Sequence, residues 1–542
     1  MAYPLQIARR AGANLASAVR RAVAQAALPR KAGIWVVVRL TPAIEDLPPP
    51  HLPFAREVPV SLLEVLETLE AAAADPQVDG VLLRCDGVPA GWSKLLSLRR
   101  AVERLRESGK PVAVYAESLD AESLLVATAA SAIWIPPSGH VLLVGLSAET
   151  FFVRGLLDHL DVRPEVIRIG THKTAGDRLT RRSMSAEDRE QLEALVDDLF
   201  AELVDGIASG RKLEPATVRE LIDRGPYHAQ AALEAGLVDA CLYPDEVDER
   251  LVALSPPPPQ ERPGPRRVRL VDGSLYHGLR AGDPGWRPLL AGLPRIAYVV
   301  ARGAIHRGAG SGGIATENLS ALLERIRRDE EVRGVVLRLD SPGGDGTASD
   351  LLSRAVSLVV REKPVVVSMG DVVASGGYYV AAAADAIFAE AGTVTGSIGV
   401  VGGKVDLGGL YRRLGVGRES VERGARAGLL SEARGFTPAE RAALREQMAA
   451  IYGGFVAHVA EHRSLSVEEV ERVAQGRVWS GARARSLGLV DAIGGPLEAL
   501  RDVRSRAGLR DTDRALVDVL PRLPQVPGLR SLLRLIPRRL GL

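Results

Sequence analysis

Asp75-Pro-Gln-Val-Asp-Gly-Val-Leu-Leu-Arg-Cys-Asp86 returns 254 residues later as Asp329-Glu-Glu-Val-Arg-Gly-Val-Val-Leu-Arg-Leu-Asp340. Each copy places a short apolar run behind a polar turn, the pattern of a strand buried on both faces. The same offset relates Ser131-Ala-Ile-Trp134 to Asp385-Ala-Ile-Phe388, so the chain is an internal duplication. Working outward, each repeat opens on a β-branched run (Ile34–Leu40 or Ile296–Ala301) and continues in an amphipathic helix (Leu62–Ala73 or Leu319–Arg328). The buried strand follows (Gly80–Cys85 or Gly334–Leu339), then a helix, a Lys-Pro turn and a third strand (Val112–Tyr115 or Val365–Ser368). The order βαβαβ predicts an α/β fold of two tandem repeats with largely parallel sheets. Both repeats close in a helical region running into Gly-Leu-Val-Asp, at Gly236–Asp239 and Gly488–Asp491. Pro256 to Pro259, Pro263 and Pro265 mark a stiff linker that reads on as irregular polar chain to about Pro294. The expected organisation is a basic segment 1–32, an N-terminal repeat 33–252, a linker 253–293, a C-terminal repeat 294–506 and a basic apolar tail 507–542.

At 542 residues the chain exceeds one hydrophobic core and suits two domains of roughly 200 residues. Its 46% apolar and 25% charged content is that of a globular protein, and a net charge of +2 argues against nucleic acid as a partner. Two cysteines, Cys85 and Cys241, exclude a disulfide framework and a thiolate metal site. No run reaches the roughly 18–20 apolar residues of a membrane span. Arg9, Arg10, Arg20 and Arg21 interrupt every candidate signal-peptide core. Leu15, Val19, Ala22 and Ala26 make residues 1–30 a basic amphipathic helix, and 529–542 has the same character around Pro537. Either end suits an anionic membrane surface, or a helix docked on the protein's own body.

The copies differ where chemistry is expected. Ser341-Pro-Gly-Gly344 stands opposite Gly87-Val-Pro-Ala90, and Ala374-Ser-Gly-Gly377 falls near Ala121-Glu-Ser-Leu124, so the first repeat lacks the glycines. Conversely, Gly170-Thr-His-Lys173 stands opposite Gly424-Ala-Arg-Ala427, so the second lacks the lysine. Glycines after a strand can turn backbone N–H groups toward an anion because no Cβ blocks the approach. Ser375, followed by Gly376, combines a hydroxyl with such a turn, as acyl transfer through a tetrahedral intermediate requires. No histidine is placed for a triad, but a desolvated lysine loses its proton readily enough to act as a serine's base. Singly, these motifs equally suit a glycine turn and a surface lysine. Their reciprocal loss couples Ser375 to Lys173.

Gly170-Thr-His-Lys-Thr-Ala with Arg182-Ser-Met-Ser185, Ser341-Pro-Gly-Gly-Asp-Gly-Thr-Ala-Ser349, Ala374-Ser-Gly-Gly-Tyr-Tyr379, Thr395-Gly-Ser-Ile-Gly399 and Gly476-Arg-Val-Trp-Ser-Gly481 resemble signal peptide peptidase A in its long, two-repeat form. The resemblance spans about residues 33–505. It implies a Ser/Lys serine protease of the Clp protease/crotonase fold that needs no cofactor or metal. Ser375 matches the nucleophile, Lys173 the general base and Ser397 a serine that hydrogen-bonds the lysine, while Gly343, Gly344 and Gly376 fall in the oxyanion region. The implied substrates are apolar peptides such as signal-peptide remnants and membrane-protein fragments, and the implied assembly is a homotetramer enclosing its sites. Long-form members open with a transmembrane anchor, whereas residues 1–32 are short of apolar length. The expected location is therefore cytoplasmic or peripheral on the inner membrane, the alternative being an inner-membrane protein with its catalytic domains outside the cytoplasm. Competing functions are a membrane-associated scaffold or chaperone that retains the fold without catalysis, and an acyl-CoA enzyme of the crotonase type.

Two shorter patterns carry less. Gly308-Ala-Gly-Ser-Gly-Gly313 fits a dinucleotide fingerprint, but its unit ends in Asp340 beside the Pro-Gly-Gly motif, so it reads as a mobile loop. His458-Val-Ala-Glu-His462 fits an inverted zincin motif without a further ligand downstream, and reads as a solvated helix face. His172 reads as a packing or rim residue.

Overall fold

A computed structural model describes residues 33–47, 60–89, 91–257, 267–281, 293–510 and 513–521, with seven positions between 11 and 22. The first repeat builds a six-stranded sheet in the order Arg269–Asp272, Ile34–Leu40, Val78–Cys85, Val112–Ala116, Ala132–Ile135, Ala240–Cys241, and every pairing in it is parallel. The second repeats this plan. Leu516–Leu520, Arg295–Arg302, Val332–Ser341 and Val365–Ala374 run parallel, and the last divides its far edge between Ala386–Ala389 and Val394–Gly396. Among the described residues, only the pairing of Val394–Gly396 with Val478–Ser480 is antiparallel in that sheet. The α/β class with largely parallel sheets follows from the duplicated βαβαβ pattern, as expected.

The apolar runs explain the layering. Ile34, Trp35, Val36 and Val37 are all buried, so the first strand packs on both faces, as the near-continuous β-branched run required. One cluster joins Val36, Val38, Leu83 and Leu98 of the first repeat to Ile296, Tyr298, Val336, Leu497 and Leu500 of the second. The repeats therefore share a core. Across it, Arg338 is fully buried, its guanidinium held by Asp46 at 3.0 Å and by Ser368 Oγ at 3.1 Å. A second link is an antiparallel ribbon in which Val400–Asp406 pairs with Arg163–Ile169 over seven residues.

Two boundary expectations are corrected. The stretch read as irregular chain to Pro294 contains the strand Arg269–Asp272 and the helical turns Gly273–Tyr276 and His277–Ala281; Val271 and Tyr276 are buried against the first repeat. Likewise the tail from 507 supplies Leu516–Leu520, which pairs with Arg295–Arg302. Each repeat thus returns a late strand to the edge of its first, beyond the Gly-Leu-Val-Asp that seemed to close it. Prolines drew the boundary too early because they mark exposed chain, not the end of a sheet. The loop of Gly308–Gly313 lies between the short paired strands Ile305–His306 and Ile314–Ala315.

The described positions of the N-terminal segment, among them Leu15 and Val19, are helical, and these two side chains are exposed. The basic tail 529–542 lies outside the described residues. No helix among the described residues is long and apolar enough to cross a membrane.

Candidate active site

The strand Val365–Ala374 delivers Ser375 to the start of the helix Gly376–Ala382. Ser375 is held at φ +54° and ψ −123°, a conformation that L side chains rarely adopt. Such a residue stores on the order of 1–3 kcal/mol of strain and persists only where its surroundings fix it. Here Ser375 N–H donates to Gly396 O at 2.8 Å and Tyr379 N–H to Ser375 O at 2.9 Å. The hydroxyl is thereby aimed at the first repeat.

Lys173 meets it there. Its Nζ donates to Ser375 Oγ at 3.0 Å, to Ser397 Oγ at 2.9 Å and to Ser397 O at 2.7 Å. The side chain is buried, no carboxylate pairs with it among the described residues, and desolvation alone pushes its ammonium down from 10.5 to about 8. Ser397 also has a positive φ, of 53°, and is fixed by its N–H donating to Arg477 O at 2.7 Å. The structure therefore brings together Ser375, Lys173 and Ser397 from opposite repeats.

The expected glycines surround the serine and do different work. A Cβ on Gly343 (φ +100°) would lie 2.8 Å from both Ser375 Cβ and Gly376 N, so only glycine permits this approach. Its N–H donates to Ser341 Oγ at 3.1 Å. A Cβ on Gly344 would lie 2.0 Å from Ile305 O, and one on Gly376 2.2 Å from Ser349 Oγ and 3.4 Å from Gly344 N. Gly344 and Gly376 thus stand side by side next to Ser375.

The lysine loop is seated by contacts that sequence alone did not reveal. His172 N–H donates to Gln475 O at 2.8 Å, and Thr171 N–H to Gln475 Oε1 at 3.3 Å. A Cβ on Gly170 or Gly476 would collide with the opposing loop, at 2.6 Å from Gln475 C and 2.5 Å from Lys173 Cβ. Buried Gln191 donates to Thr174 Oγ1 at 2.7 Å and to His172 O at 3.4 Å, and accepts from Val478 N–H at 3.4 Å. Gln475 and Gln191 carry no motif of their own; the nearby Gly476-Arg-Val-Trp run was the available signal. On the serine side, Asp371 accepts from Ser93 N–H and Lys94 Nζ, both at 2.9 Å, and so caps the first repeat's helix Trp92–Glu107 from the second repeat.

The histidines stand apart from this chemistry. His172 is half-buried beside Thr171 Oγ1 at 3.0 Å and Glu190 at 3.5 Å, a rim position as expected. His458 and His462 are not on a solvated face. His458 stacks on Tyr379 at 4.0 Å, its Nε2 2.9 Å from Tyr379 O, and His462 packs against it at 4.2 Å. The helix is buried there because it covers the helix that follows Ser375. No group of ligands able to hold a metal occurs among the described residues.

The family model described as Peptidase family S49 matches residues 104–255 and 358–510, once in each repeat. Serine protease SPPA, chloroplastic, of Arabidopsis thaliana is 36% identical over 83% of this chain and 66% of its own length. Protease 4 of Salmonella typhi is 29% identical over 80% of this chain and 70% of its own, and Protease 4 of Haemophilus influenzae 27% identical over 89% and 78%. The chain thus spans about two thirds of the length of the plant relative. Matched by the family over more than half of its residues, with the match falling once on each repeat, this chain belongs to peptidase family S49 and is a serine protease.

Proposed function

We propose that the chain is an ATP-independent endopeptidase in which Ser375 is the nucleophile and Lys173 its general base, acting on extended apolar peptides. The observation that carries this is the buried Lys173 Nζ lying 3.0 Å from Ser375 Oγ, with no carboxylate paired to it among the described residues. As an ammonium, Nζ donates to the hydroxyl and cannot accept from it. Once neutral, its lone pair accepts the Oγ proton while the remaining N–H groups stay on Ser397 O and Oγ, which fixes the direction of the lone pair. Ser375 Oγ then attacks the scissile carbonyl, and the oxyanion is met by the N–H groups of Gly344 and Gly376. Gly343 keeps the floor clear, since its own N–H serves Ser341. The proton held on Lys173 passes to the leaving amine, the peptide bond breaks and an acyl-enzyme on Ser375 remains. A water molecule, deprotonated by Lys173, attacks this ester, and collapse of the second intermediate returns Oγ–H to Ser375. The apolar substrate class rests on the resemblance of the five motifs to signal peptide peptidase A.

Fluorophosphonate labelling tests the assignment. The unsubstituted protein should be labelled and Ser375→Ala should not, with labelling of Lys173→Met slowed at neutral pH. Equal labelling of Ser375→Ala, or cleavage of an apolar reporter peptide by it at the unsubstituted rate, would overturn the roles. Preference for a charged peptide over an apolar one would overturn the substrate class alone.

A further inference from the structure

The strand that carries Ser375 is interrupted just before it. Val332–Ser341 and Val365–Ala374 run parallel with Leu339 opposite Met369, but their next pair is Ser341 opposite Val373, so Asp340 alone faces Gly370, Asp371 and Val372. A bulge of this kind bends a strand and re-aims the side chains beyond it. The first repeat shows where the extra chain lies. There Cys85 pairs with Ala116 and Ser118 with His140, where the second repeat pairs Leu339 with Met369 and Val372 with Val394. Between these matched points the first repeat has one residue, Glu117, and the second has two, Gly370 and Asp371. The repeat that keeps the serine therefore has a longer bulge immediately ahead of it.

The bulge is held from two sides. Within the second repeat, Val372 N–H donates to Asp340 Oδ1 at 3.0 Å, and the buried Thr393 Oγ1 donates to Gly370 O at 2.9 Å. A Cβ on Gly370 would lie 2.6 Å from that of Asp340, so the two backbones meet closely here. From the other side, the first repeat takes hold of Asp371, whose Oδ1 accepts from Ser93 N–H and whose Oδ2 accepts from Lys94 Nζ. Ser93 and Lys94 are both buried, and Ser93 Oγ donates to Met369 O at 3.2 Å. Gly91, at φ +105°, makes room for the carboxylate, since a Cβ there would lie 2.1 Å from Asp371 Cγ. Beyond the bulge only Val372–Ala374, paired with Val394–Gly396, separates Asp371 from Ser375. So short a strand passes a displacement of Asp371 on to the serine.

We propose that Asp371 is a positioning residue for the nucleophile: anchored on the first repeat's helix Trp92–Glu107, it fixes the bulge Gly370–Val372 and thereby the direction of Ser375 Oγ toward Lys173. The anchor and the lysine belong to the same repeat. Holding Asp371 therefore holds the separation of Oγ and Nζ, on which proton transfer depends, and a misplacement of about 1 Å at such a site can cost on the order of 100-fold in rate. In the first repeat, which has Ala121 at the position of Ser375, there is no hydroxyl to aim, and Glu117 is exposed. The role of Asp371 rests on Ser375 being the nucleophile, and the two can fail separately.

Steady-state cleavage of an apolar reporter peptide, below the thermal midpoint of each variant, tests it in the full chain. Asp371→Ala should lower kcat roughly 10–100-fold with KM little changed. The alkaline midpoint should stay at about 8, because burial of Lys173 sets it. Asp371→Asn keeps an oxygen for Ser93 N–H and should recover part of the loss. A role confined to stability would lower the thermal midpoint and leave kcat in place; that result, or a moved alkaline midpoint, would overturn the aiming. Should Asp371→Ala fail to fold, Lys94→Met removes one donor to Asp371 without touching the sheet and should show the same split in smaller measure. A folded Lys94→Met with unchanged kcat would overturn the hold from the first repeat. Fluorophosphonate labelling keeps the two readings apart: labelling of Ser375→Ala at the unsubstituted rate would remove the nucleophile, whereas no labelling of Ser375→Ala with Asp371→Ala labelled at the unsubstituted rate would remove the role of Asp371 alone.

Discussion

Replacing Ser397 by aspartate places a carboxylate where Ser397 Oγ now lies, 2.9 Å from Lys173 Nζ. Asp tolerates the positive φ of 53° at this position better than most residues, so the backbone should hold. In the unsubstituted chain burial pushes Lys173 down to about 8, so that at pH 7.5 about a quarter of it would be neutral and able to accept the Ser375 proton. An opposite charge at this range raises a lysine by about 1–3 units. The neutral fraction at pH 7.5 then falls to about 3% or below, and kcat/KM should fall roughly tenfold to several hundredfold with it. The loss is one of protonation, so activity should return as pH is raised past the new midpoint. Measuring kcat/KM for an apolar fluorogenic peptide from neutral to strongly alkaline pH reads the midpoint directly. Ser397→Asn, of nearly the same shape but uncharged, is the control and should keep the midpoint of the unsubstituted enzyme. A Ser397→Asp enzyme that is active with an unmoved midpoint, or slowed by one factor at all pH values, would show that Lys173 is not the titrating base.

Ser375→Ala and Lys173→Ala should each lower kcat/KM by at least about a thousandfold, and the double variant should match either single, because nucleophile and base act as one unit; additive losses would separate them. Lys173→Met should stabilise the fold, since the native state holds the ammonium at a disadvantage of about 3 kcal/mol below pH 8, for a fall from 10.5 to about 8. The unfolded chain binds more protons between those values, so the unsubstituted protein gains stability as pH rises from 8 to 10.5, and the advantage of Lys173→Met in thermal midpoint should shrink over that window; no advantage at pH 7 would mean the lysine is hydrated. Gly376→Ala should lower kcat roughly 10–100-fold by driving a methyl group to 2.2 Å from Ser349 Oγ, and Ser349→Gly in the same chain should recover part of it; failure to recover would place the damage in the donated N–H and not in the collision.

The duplication and its missing halves were legible because they are local facts: Ser375 in a glycine turn, Lys173 in Gly-Thr-His-Lys, and blanks at the matching positions. What could not be read was how one loop finds the other. Gln475 presents its backbone carbonyl to His172 only because its φ is +54°, and Gln191 bridges Thr174 to Val478 across nearly three hundred residues of chain. Neither has a residue type or spacing that announces such a role. The glycines beside Ser375 could be read as a group, but that Ser341 captures the N–H of Gly343 is a contact two residues long that a motif does not encode. The histidine pair was misjudged because helical spacing fixes a face without saying what covers it, and here Tyr379 does.

The shared core decides what separating the repeats should do. Ile296, Tyr298, Val336 and Leu500 lie in one cluster with Val36, Leu83 and Leu98, so cutting the chain in the linker leaves each half with an apolar face and leaves Arg338 without Asp46. Losing one partner of a buried pair costs about 3–5 kcal/mol, a large share of the stability of a single domain. The two halves, 33–281 and 293–521, should therefore be poorly folded when expressed separately and should assemble when expressed together, each keeping its returning edge strand. The co-expressed pair should cleave peptide, and Lys173→Ala in the first half should silence a second half that is itself intact. A second half that folds alone and cleaves peptide at the full-length rate would remove Lys173 from the mechanism. It would also remove the reason for the duplication to have kept a lysine in one copy and a serine in the other.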